Sequence, residues 1–160
     1  MGLGDFFKNI FGKKNCALCG KECGMMRRSK IKNKEFLCDD CGNLCSKYIR
    51  LSELTLDEVK EHIEYMKRQN RLFEEVYSKE GKKDTFPSSL KEMGIEFCDD
   101  LGMFRIKYRS NTGRGKMNEL FRYDQVASYE EYIDETPATE PGKNPEFKEC
   151  GLKIKLLGGN

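Results

Sequence analysis

Four cysteines in the first third of the chain constrain this sequence more than any other feature. They form two C-x2-C pairs, Cys16 with Cys19 and Cys38 with Cys41, separated by 18 residues. Two cysteines spaced in this way can turn both sulfurs toward one point, and the glycine that follows each pair lets the backbone curl tightly around that point. Together the two pairs complete a tetrahedral thiolate shell, so the spacing predicts a zinc ion.

A single C-x2-C pair can also be a redox dithiol or part of an iron–sulfur centre. Here the pair occurs twice, each copy is followed by glycine, and neither copy is surrounded by a βαβ pattern. These features favour ligation of zinc by soft thiolates over thiol–disulfide exchange.

A third cysteine follows each pair at the same offset. Cys23 and Cys45 extend both copies to C-x2-C-G-x2-C, so the pattern repeats after 22 residues. Six thiolates can hold two bridged metals; alternatively, Cys23 and Cys45 pack as small buried residues beside one ion. We favour a single structural Zn2+, because Cys45 lies one helical turn after Cys41. This spacing would place Cys45 along a helix rather than at the ion.

The remaining cysteine usage indicates a reducing compartment. The chain has eight cysteines, no apolar segment of the kind found in signal peptides and no run approaching 18 apolar residues. We therefore expect a cytoplasmic protein whose cysteines bind metal or pack as thiols, Cys98 and Cys150 included.

The N-terminal segment 3–11 has the apolar spacing of an amphipathic helix that ends at Gly12. Its apolar stripe consists of Leu3, Phe6, Phe7, Ile10 and Phe11. About three helical turns are not stable alone in water. We therefore expect this helix to dock on the rest of the protein, on another protein or on a membrane surface.

The stretch between the cysteine pairs is basic. Ile31 and Phe36 flank Asn33-Lys34, which predicts a short hairpin. Its cations are Arg27, Arg28, Lys30, Lys32 and Lys34, and residues 1–50 contain eleven Lys or Arg against five Asp or Glu, a net charge of +6. These cations could contact nucleic acid, or they could simply form the solvated face of the zinc module.

A helix begins after Leu54, where Thr55 and Glu58 form a capping box. Apolar residues recur at helical spacing from there to residue 77. The only histidine, His62, lies within this helix. A role as metal ligand or general base has no partner motif to support it, so we expect an ordinary structural histidine.

Beyond residue 94 the apolar period changes from 3.6 to 2, which predicts antiparallel strands. The expected strands are Ile95–Cys98, Met103–Tyr108, Leu120–Tyr123, Val126–Ile133 and Gly151–Leu157. Arg105, Lys107 and Arg109 share one face of the second strand, and Arg114 and Lys116 extend them, which makes a second candidate anion site. The alternative is a solvated face paired across the sheet with Glu96 or Glu119.

These elements predict an α+β protein with five parts. We expect an amphipathic helix at 1–13, a zinc module of treble-clef or zinc-ribbon type at 14–52, a connecting helix at 53–78, a linker at 79–94 and an antiparallel β domain at 95–160.

The order of parts resembles a family of bacterial and bacteriophage proteins. The residues that carry the resemblance are the cysteine pairs, Leu-Thr-Leu-Asp-Glu at 54–58, Phe-Arg-Tyr-Asp-Gln-Val-Ala-Ser-Tyr-Glu at 121–130 and Cys-Gly-Leu-Lys-Ile-Lys-Leu at 150–156. Members of that family are small proteins of unknown function with an N-terminal four-cysteine zinc module and a C-terminal domain similar to pleckstrin-homology folds. The resemblance implies that Cys16, Cys19, Cys38 and Cys41 are the ligands, with Cys23 and Cys45 as additional cysteines. It implies no activity.

The sequence offers little for catalysis. It has no phosphate-binding loop, no nucleophile elbow and one histidine, and four thiolates leave no open position on zinc. We expect a non-catalytic adaptor with no small-molecule substrate, whose β domain binds a protein partner or another copy of itself. The alternatives are a nucleic-acid-binding protein that uses the basic hairpin and a peripheral membrane module that uses residues 3–11.

Overall fold

The computed structural model describes residues 12–87, 94–107, 117–136, 142 and 146–157. The chain divides into two compact units, Met1–Leu120 and Phe121–Asn160. Both contain antiparallel strands and the first contains helices, so the expected α+β class is confirmed. The five predicted domain boundaries stay predictions. Within the described ranges, no helix is long and apolar enough to cross a membrane.

Two small hairpins build the four-cysteine module. In the first, strand β1 (Lys14–Asn15) pairs with β2 (Glu22–Cys23). In the second, β3 (Arg28–Lys30) pairs with β4 (Phe36–Cys38), which leads directly into helix α1 (Asp39–Gly42). The first cysteine pair therefore lies between β1 and β2, and the second pair lies at the end of β4 and in α1.

Helix α1 is too short to reach Cys45, which we had expected to lie along a helix. It makes one turn and ends at Gly42, and a separate 3-10 turn follows at Leu51–Glu53. Glycine and asparagine at 42 and 43 are poor helix formers, which is the reason the helix does not continue. Cys45 consequently lies beyond α1 rather than along it, and its amide donates to the Gly42 carbonyl at 3.1 Å.

The connecting helix matches the sequence prediction closely. Helix α2 spans Leu56–Leu72 and continues as a π-helical turn, Phe73–Tyr77. The Thr55 amide donates to Glu58 Oε2 at 2.7 Å, and the Glu58 amide donates to Thr55 Oγ1 at 3.3 Å, so the capping box is formed.

The first half of α2 completes the core of the four-cysteine module. The buried cluster there is formed by Cys16, Cys23, Ile31, Leu37, Cys38, Cys41, Cys45, Leu51, Val59 and Ile63. Five partly buried leucine and isoleucine side chains pack against it: Leu18, Leu44, Ile49, Leu54 and Leu56. A core of this size is small for an independently stable domain.

Three antiparallel strands follow α2: β5 (Asp84–Pro87), β6 (Gly94–Cys98) and β7 (Met103–Lys107). The expected strands at 95 and 103 are confirmed within one residue. Strand β5 falls in the segment that we predicted to be a linker, because its four residues include Asp84 and Pro87, which sequence rules assign to turns. Tyr77, Cys98 and Leu120 form a second buried cluster.

The second unit contains a short strand, β8 (Phe121–Arg122), and a long two-stranded ribbon. The ribbon consists of β9 (Val126–Thr136) and β10 (Glu146–Leu156), which pair antiparallel with Tyr129 opposite Ile154. Strand β9 extends three residues beyond the predicted Val126–Ile133, and β10 begins five residues before the predicted Gly151–Leu157.

Candidate metal centre

The side chains of Cys16, Cys19, Cys38 and Cys41 converge as predicted. Their four sulfurs all lie within 4.8 Å of one another. The Sγ atoms of Cys19 and Cys38 are 3.7 Å apart. In a tetrahedral zinc site with Zn–S bonds of about 2.3 Å, the sulfurs are separated by about 3.8 Å. The cluster therefore has the ligand type, number and spacing of a metal site.

The first cysteine pair is held by a tight loop between β1 and β2. The Gly20 amide donates to the Cys16 carbonyl at 2.8 Å, and the Cys16 amide donates to the Lys21 carbonyl at 2.9 Å. Gly20 has a φ of +75°, a conformation that side chains with a Cβ rarely adopt. The glycine after this pair is therefore required by the backbone, as we expected.

The second pair is positioned differently, at the junction of a strand and a helix. Cys38 ends β4 and precedes the first residue of α1, and Cys41 lies within that single turn. Gly42 is helical rather than left-handed, and a Cβ there would make ordinary contacts, 3.7 Å from Ser29 Oγ and 3.8 Å from Leu51. Our expectation that the second glycine is needed for backbone curvature was wrong, because a helical turn brings this pair together instead.

The four cysteines differ in their exposure to solvent. Cys16, Cys38 and Cys41 are 2 %, 3 % and 7 % exposed, whereas Cys19 is an exposed residue. The cluster is therefore buried at three of its cysteines and exposed at the fourth, in the first loop.

Burial and hydrogen bonds shift the pKa values of three of the four cysteines. Burial raises the pKa of Cys38 and of Cys41. At Cys16 burial also acts to raise the pKa, but hydrogen bonds from the backbone at Cys38, Cys19 and Leu18 outweigh it and lower the pKa to about 6. Four thiolates at this separation repel one another, so a bound cation is what would keep all four ionised.

Cys23 and Cys45, the candidates for a second metal, lie outside the group whose sulfurs are within 4.8 Å. Both are buried in the module core, at 6 % and 0 % exposure. The Cys23 thiol donates to the Lys14 carbonyl at 3.1 Å, and burial raises its pKa. The structure thus places Cys23 as a packed thiol beside the metal site.

The predicted basic hairpin is formed, and its turn has an unusual backbone. Asn33 and Lys34 have φ values of +61° and +63°, the signs of a type I′ turn. Arg27, Lys30, Lys32 and Lys34 are exposed, which agrees equally with a nucleic-acid contact and with a solvated face. Arg28 is an exception, because its Nη1 donates to the Gly12 carbonyl at 2.6 Å and its guanidinium lies 4.7 Å from the centre of the Phe36 ring.

The second candidate anion site is occupied by the protein's own carboxylate. The Glu96 carboxylate forms ion pairs with Arg105 Nε at 2.8 Å and with Lys107 Nζ at 3.4 Å. Arg105 also donates to Asn118 Oδ1 at 3.0 Å, and its guanidinium lies over Phe73. Of our two interpretations, pairing across the sheet with Glu96 is therefore confirmed for Arg105 and Lys107.

Other predicted positions fall outside the described residues. These are Arg109, Arg114 and Lys116 of the strand site, and Leu3, Phe6, Phe7, Ile10 and Phe11 of the docking helix.

A polar network beside the four-cysteine module joins residues whose contacts the sequence did not predict. The Ser46 amide donates to His62 Nε2 at 3.0 Å, and the Ser46 hydroxyl donates to Glu119 Oε2 at 2.5 Å. Tyr65 forms a second hydrogen bond with Glu119. Burial raises the pKa of Glu119 and lowers that of His62. His62 therefore acts as a hydrogen-bond acceptor in this network. Glu119, which we had considered only as a partner for the basic strand, binds Ser46 and Tyr65.

Comparison with known proteins agrees with the extent of this module. Residues 14–62 match the model of a family described as "Domain of unknown function (DUF4428)". The matched segment begins at β1, contains all four candidate ligands and ends within α2 at His62. No curated protein and no solved structure matches the chain.

Proposed function

We propose that this protein is a non-catalytic zinc-binding interaction module. One structural Zn2+ is held by Cys16, Cys19, Cys38 and Cys41, and the β region at 95–160 binds a protein partner or a second copy of the chain. The observation that carries the proposal is the four-sulfur cluster, whose Cys19–Cys38 separation of 3.7 Å matches tetrahedral zinc.

The metal would supply stability rather than reactivity. Binding to a structural site of this kind contributes roughly 10–16 kcal/mol, which appears as folding free energy of the module. The β3–β4 hairpin followed by a helix at the second cysteine pair is consistent with a treble-clef or zinc-ribbon arrangement. We further propose a pleckstrin-like fold for residues 95–160. Because seven of the eight cysteines are free thiols, namely Cys16, Cys19, Cys23, Cys38, Cys41, Cys45 and Cys98, we also propose a cytoplasmic location.

The contacts of the single histidine support a non-catalytic role. His62 accepts the Ser46 amide, while the Ser46 hydroxyl is directed to Glu119 rather than to His62. Neither residue therefore forms the nucleophile–base pair that covalent catalysis requires. A four-thiolate shell also leaves zinc no open position for water.

The β9–β10 ribbon supports a role in protein binding. Tyr129 lies opposite Ile154, and Leu152 lies two residues before Ile154 on the same face of the ribbon. Ile133 shares this face through the period of two. Tyr129, Ile133 and Leu152 are 73 %, 64 % and 42 % exposed. Apolar side chains grouped on one face in this way are typical of an interaction surface.

Two aspartate substitutions, one on each face of the ribbon, test this part of the proposal. We expect Ile133→Asp to abolish capture of partners from native host cells, or self-association measured by light scattering after size-exclusion chromatography. The matched control is Ser128→Asp, which adds the same charge on the opposite face, where Ser128 pairs with Lys155. Equal behaviour of the two variants would argue against this surface.

The exposure of four hairpin cations favours nucleic-acid binding as a second candidate function. The test is a quadruple variant, Arg27→Ala, Lys30→Ala, Lys32→Ala and Lys34→Ala. If the hairpin binds duplex DNA, the slope of log K against log salt becomes shallower by about 0.9 for each phosphate that the variant no longer neutralises. The control removes the same charge from α2 with Lys60→Ala, Lys67→Ala, Arg68→Ala and Arg71→Ala, all exposed. Equal slopes for both variants would exclude the hairpin as the nucleic-acid-binding surface.

A further inference from the structure

One of the four candidate ligands is accessible to reagents in solution. Cys19 is exposed, whereas Cys16, Cys38 and Cys41 are buried. Three further cysteines, Cys23, Cys45 and Cys98, are also buried, at 6 %, 0 % and 0 % exposure. Among these seven cysteines, Cys19 is therefore the residue that a small oxidant meets first.

Cys19 also has a partner sulfur beside it. Its Sγ lies 3.7 Å from Sγ of Cys38, which belongs to the other cysteine pair. A disulfide requires the sulfurs to approach to about 2.05 Å, so closing this gap needs only local movement of the exposed first loop.

A cation stands next to this pair of sulfurs. Lys21 is exposed and donates to Asp40 at 2.8 Å. Lys21 also lines the same surface cavity as Cys38. An ammonium group at this position can stabilise the hydroxide that leaves when a thiolate attacks peroxide.

We propose that Cys19 is the site at which peroxides modify the zinc module, and that the first product is a disulfide between Cys19 and Cys38. This inference rests on the proposed zinc binding and adds a mode of regulation to it. The oxidant is a hydroperoxide, with hydrogen peroxide as the simplest member.

The reaction proceeds in two displacement steps. The Cys19 thiolate attacks one oxygen of hydrogen peroxide, the O–O bond breaks, hydroxide leaves and Cys19 becomes a sulfenic acid. The Cys38 thiolate then attacks the Cys19 sulfur, the S–S bond forms and a second hydroxide leaves. Two protons from solvent convert both hydroxides to water, so two thiolates and one peroxide give one disulfide and two waters.

The disulfide removes one ligand from each cysteine pair. Cys16 and Cys41 remain, and two thiolates do not hold structural zinc. Oxidation therefore releases the ion and, with it, the free energy that stabilises the module core. Reduction by a cellular dithiol restores the four ligands, so the change is reversible.

The experiment uses the full-length, zinc-loaded protein. It is treated with one equivalent of hydrogen peroxide while a chromogenic chelator reports zinc release, and quenched samples are mapped by mass spectrometry. We expect the Cys19–Cys38 bridge to appear at the rate of zinc release. Lys21→Met keeps all four ligands and should slow release about fivefold, the effect of one nearby charge in a solvent-exposed setting.

The matched control is Lys30→Met, which removes an exposed cation from the same module but leaves Lys21 in place. Its rate should equal that of the wild type. A first disulfide at any other pair, or equal slowing by both lysine substitutions, would overturn the inference. A freshly purified protein without zinc would instead contradict the proposed function, so the two failures are distinguishable.

Discussion

The hydroxyl of Ser46 lies 2.5 Å from Oε2 of Glu119, although the two residues are 73 positions apart in the chain. Ser46 follows the buried Cys45 directly and is itself 1 % exposed. Its amide is bound to His62 of α2, and its hydroxyl also accepts the Tyr48 amide at 3.1 Å. Hydrogen bonds thus join the segment after the second cysteine pair to α2 and to the residues before β8. They connect the four-cysteine module to the rest of the first unit.

Removal of the Glu119 carboxylate should therefore destabilise the first unit. Glu119→Ala leaves the Ser46 hydroxyl and the Tyr65 hydroxyl without their acceptor, and we expect a loss of about 1–3 kcal/mol in the free energy of unfolding. Urea denaturation followed by circular dichroism measures it. Glu119→Gln retains an acceptor oxygen and should lose less. Glu64→Ala is the control, because Glu64 makes one exposed ion pair with Lys67; a similar loss there would contradict the prediction.

The His62–Ser46 hydrogen bond predicts a specific pH dependence. Burial lowers the pKa of His62, so the unfolded chain binds more protons at this residue than the folded one. The contribution of neutral His62 to the free energy of unfolding is therefore complete above the pKa of the unfolded chain, about 6.5. It is lost as the pH falls below that value. His62→Gln offers the Ser46 amide an uncharged acceptor.

The measurement compares the free energy of unfolding of the wild type and His62→Gln between pH 7.5 and pH 5. Loss of zinc from protonated thiolates lowers the stability of both proteins in the same way, so the difference between them isolates His62. We expect the variant to lose less stability than the wild type. Parallel curves would show that His62 does not titrate between the two states.

The left-handed backbone at Lys34 predicts a stabilising substitution. A residue with a Cβ is disfavoured at a φ of +63°, whereas glycine adopts it readily. We expect Lys34→Gly to raise the free energy of unfolding by about 0.5–1 kcal/mol in the zinc-loaded protein. Lys30→Gly removes the same charge within strand β3 and should lower stability instead. Equal effects would attribute any change to charge rather than to the turn.

Removal of the metal should unfold the four-cysteine module. Its core has few buried residues besides the cysteines, so we expect a chelator to collapse the amide dispersion of residues 14–53 in an NMR spectrum. Cys41→Ser should do the same. The Cys23 thiol donates a hydrogen bond to the Lys14 carbonyl and is not one of the four clustered ligands. Cys23→Ala should therefore retain one zinc per chain by elemental analysis. A ratio near two in the wild type would contradict the single-ion assignment.

Two features of the site and fold could be read directly from the sequence. The C-x2-C spacing brings two sulfurs together through one turn of backbone, and the Thr55–Glu58 capping box joins residues three positions apart. In both, the geometry is determined by a few consecutive residues, so the pattern of residue types is sufficient. The helix that starts at the capping box and the strands at 95 and 103 were predicted for the same reason.

Tertiary structure alone decided what the charged and polar side chains do. Arg105 and Lys107 share Glu96, Arg28 binds the Gly12 carbonyl, and Ser46 meets Glu119. Sequence showed these groups as charges and hydroxyls on amphipathic elements, equally suited to solvent or to a ligand. Their partners come from distant segments, and which segments meet depends on how the apolar faces pack, because that packing sets the distances on which hydrogen bonds and ion pairs depend.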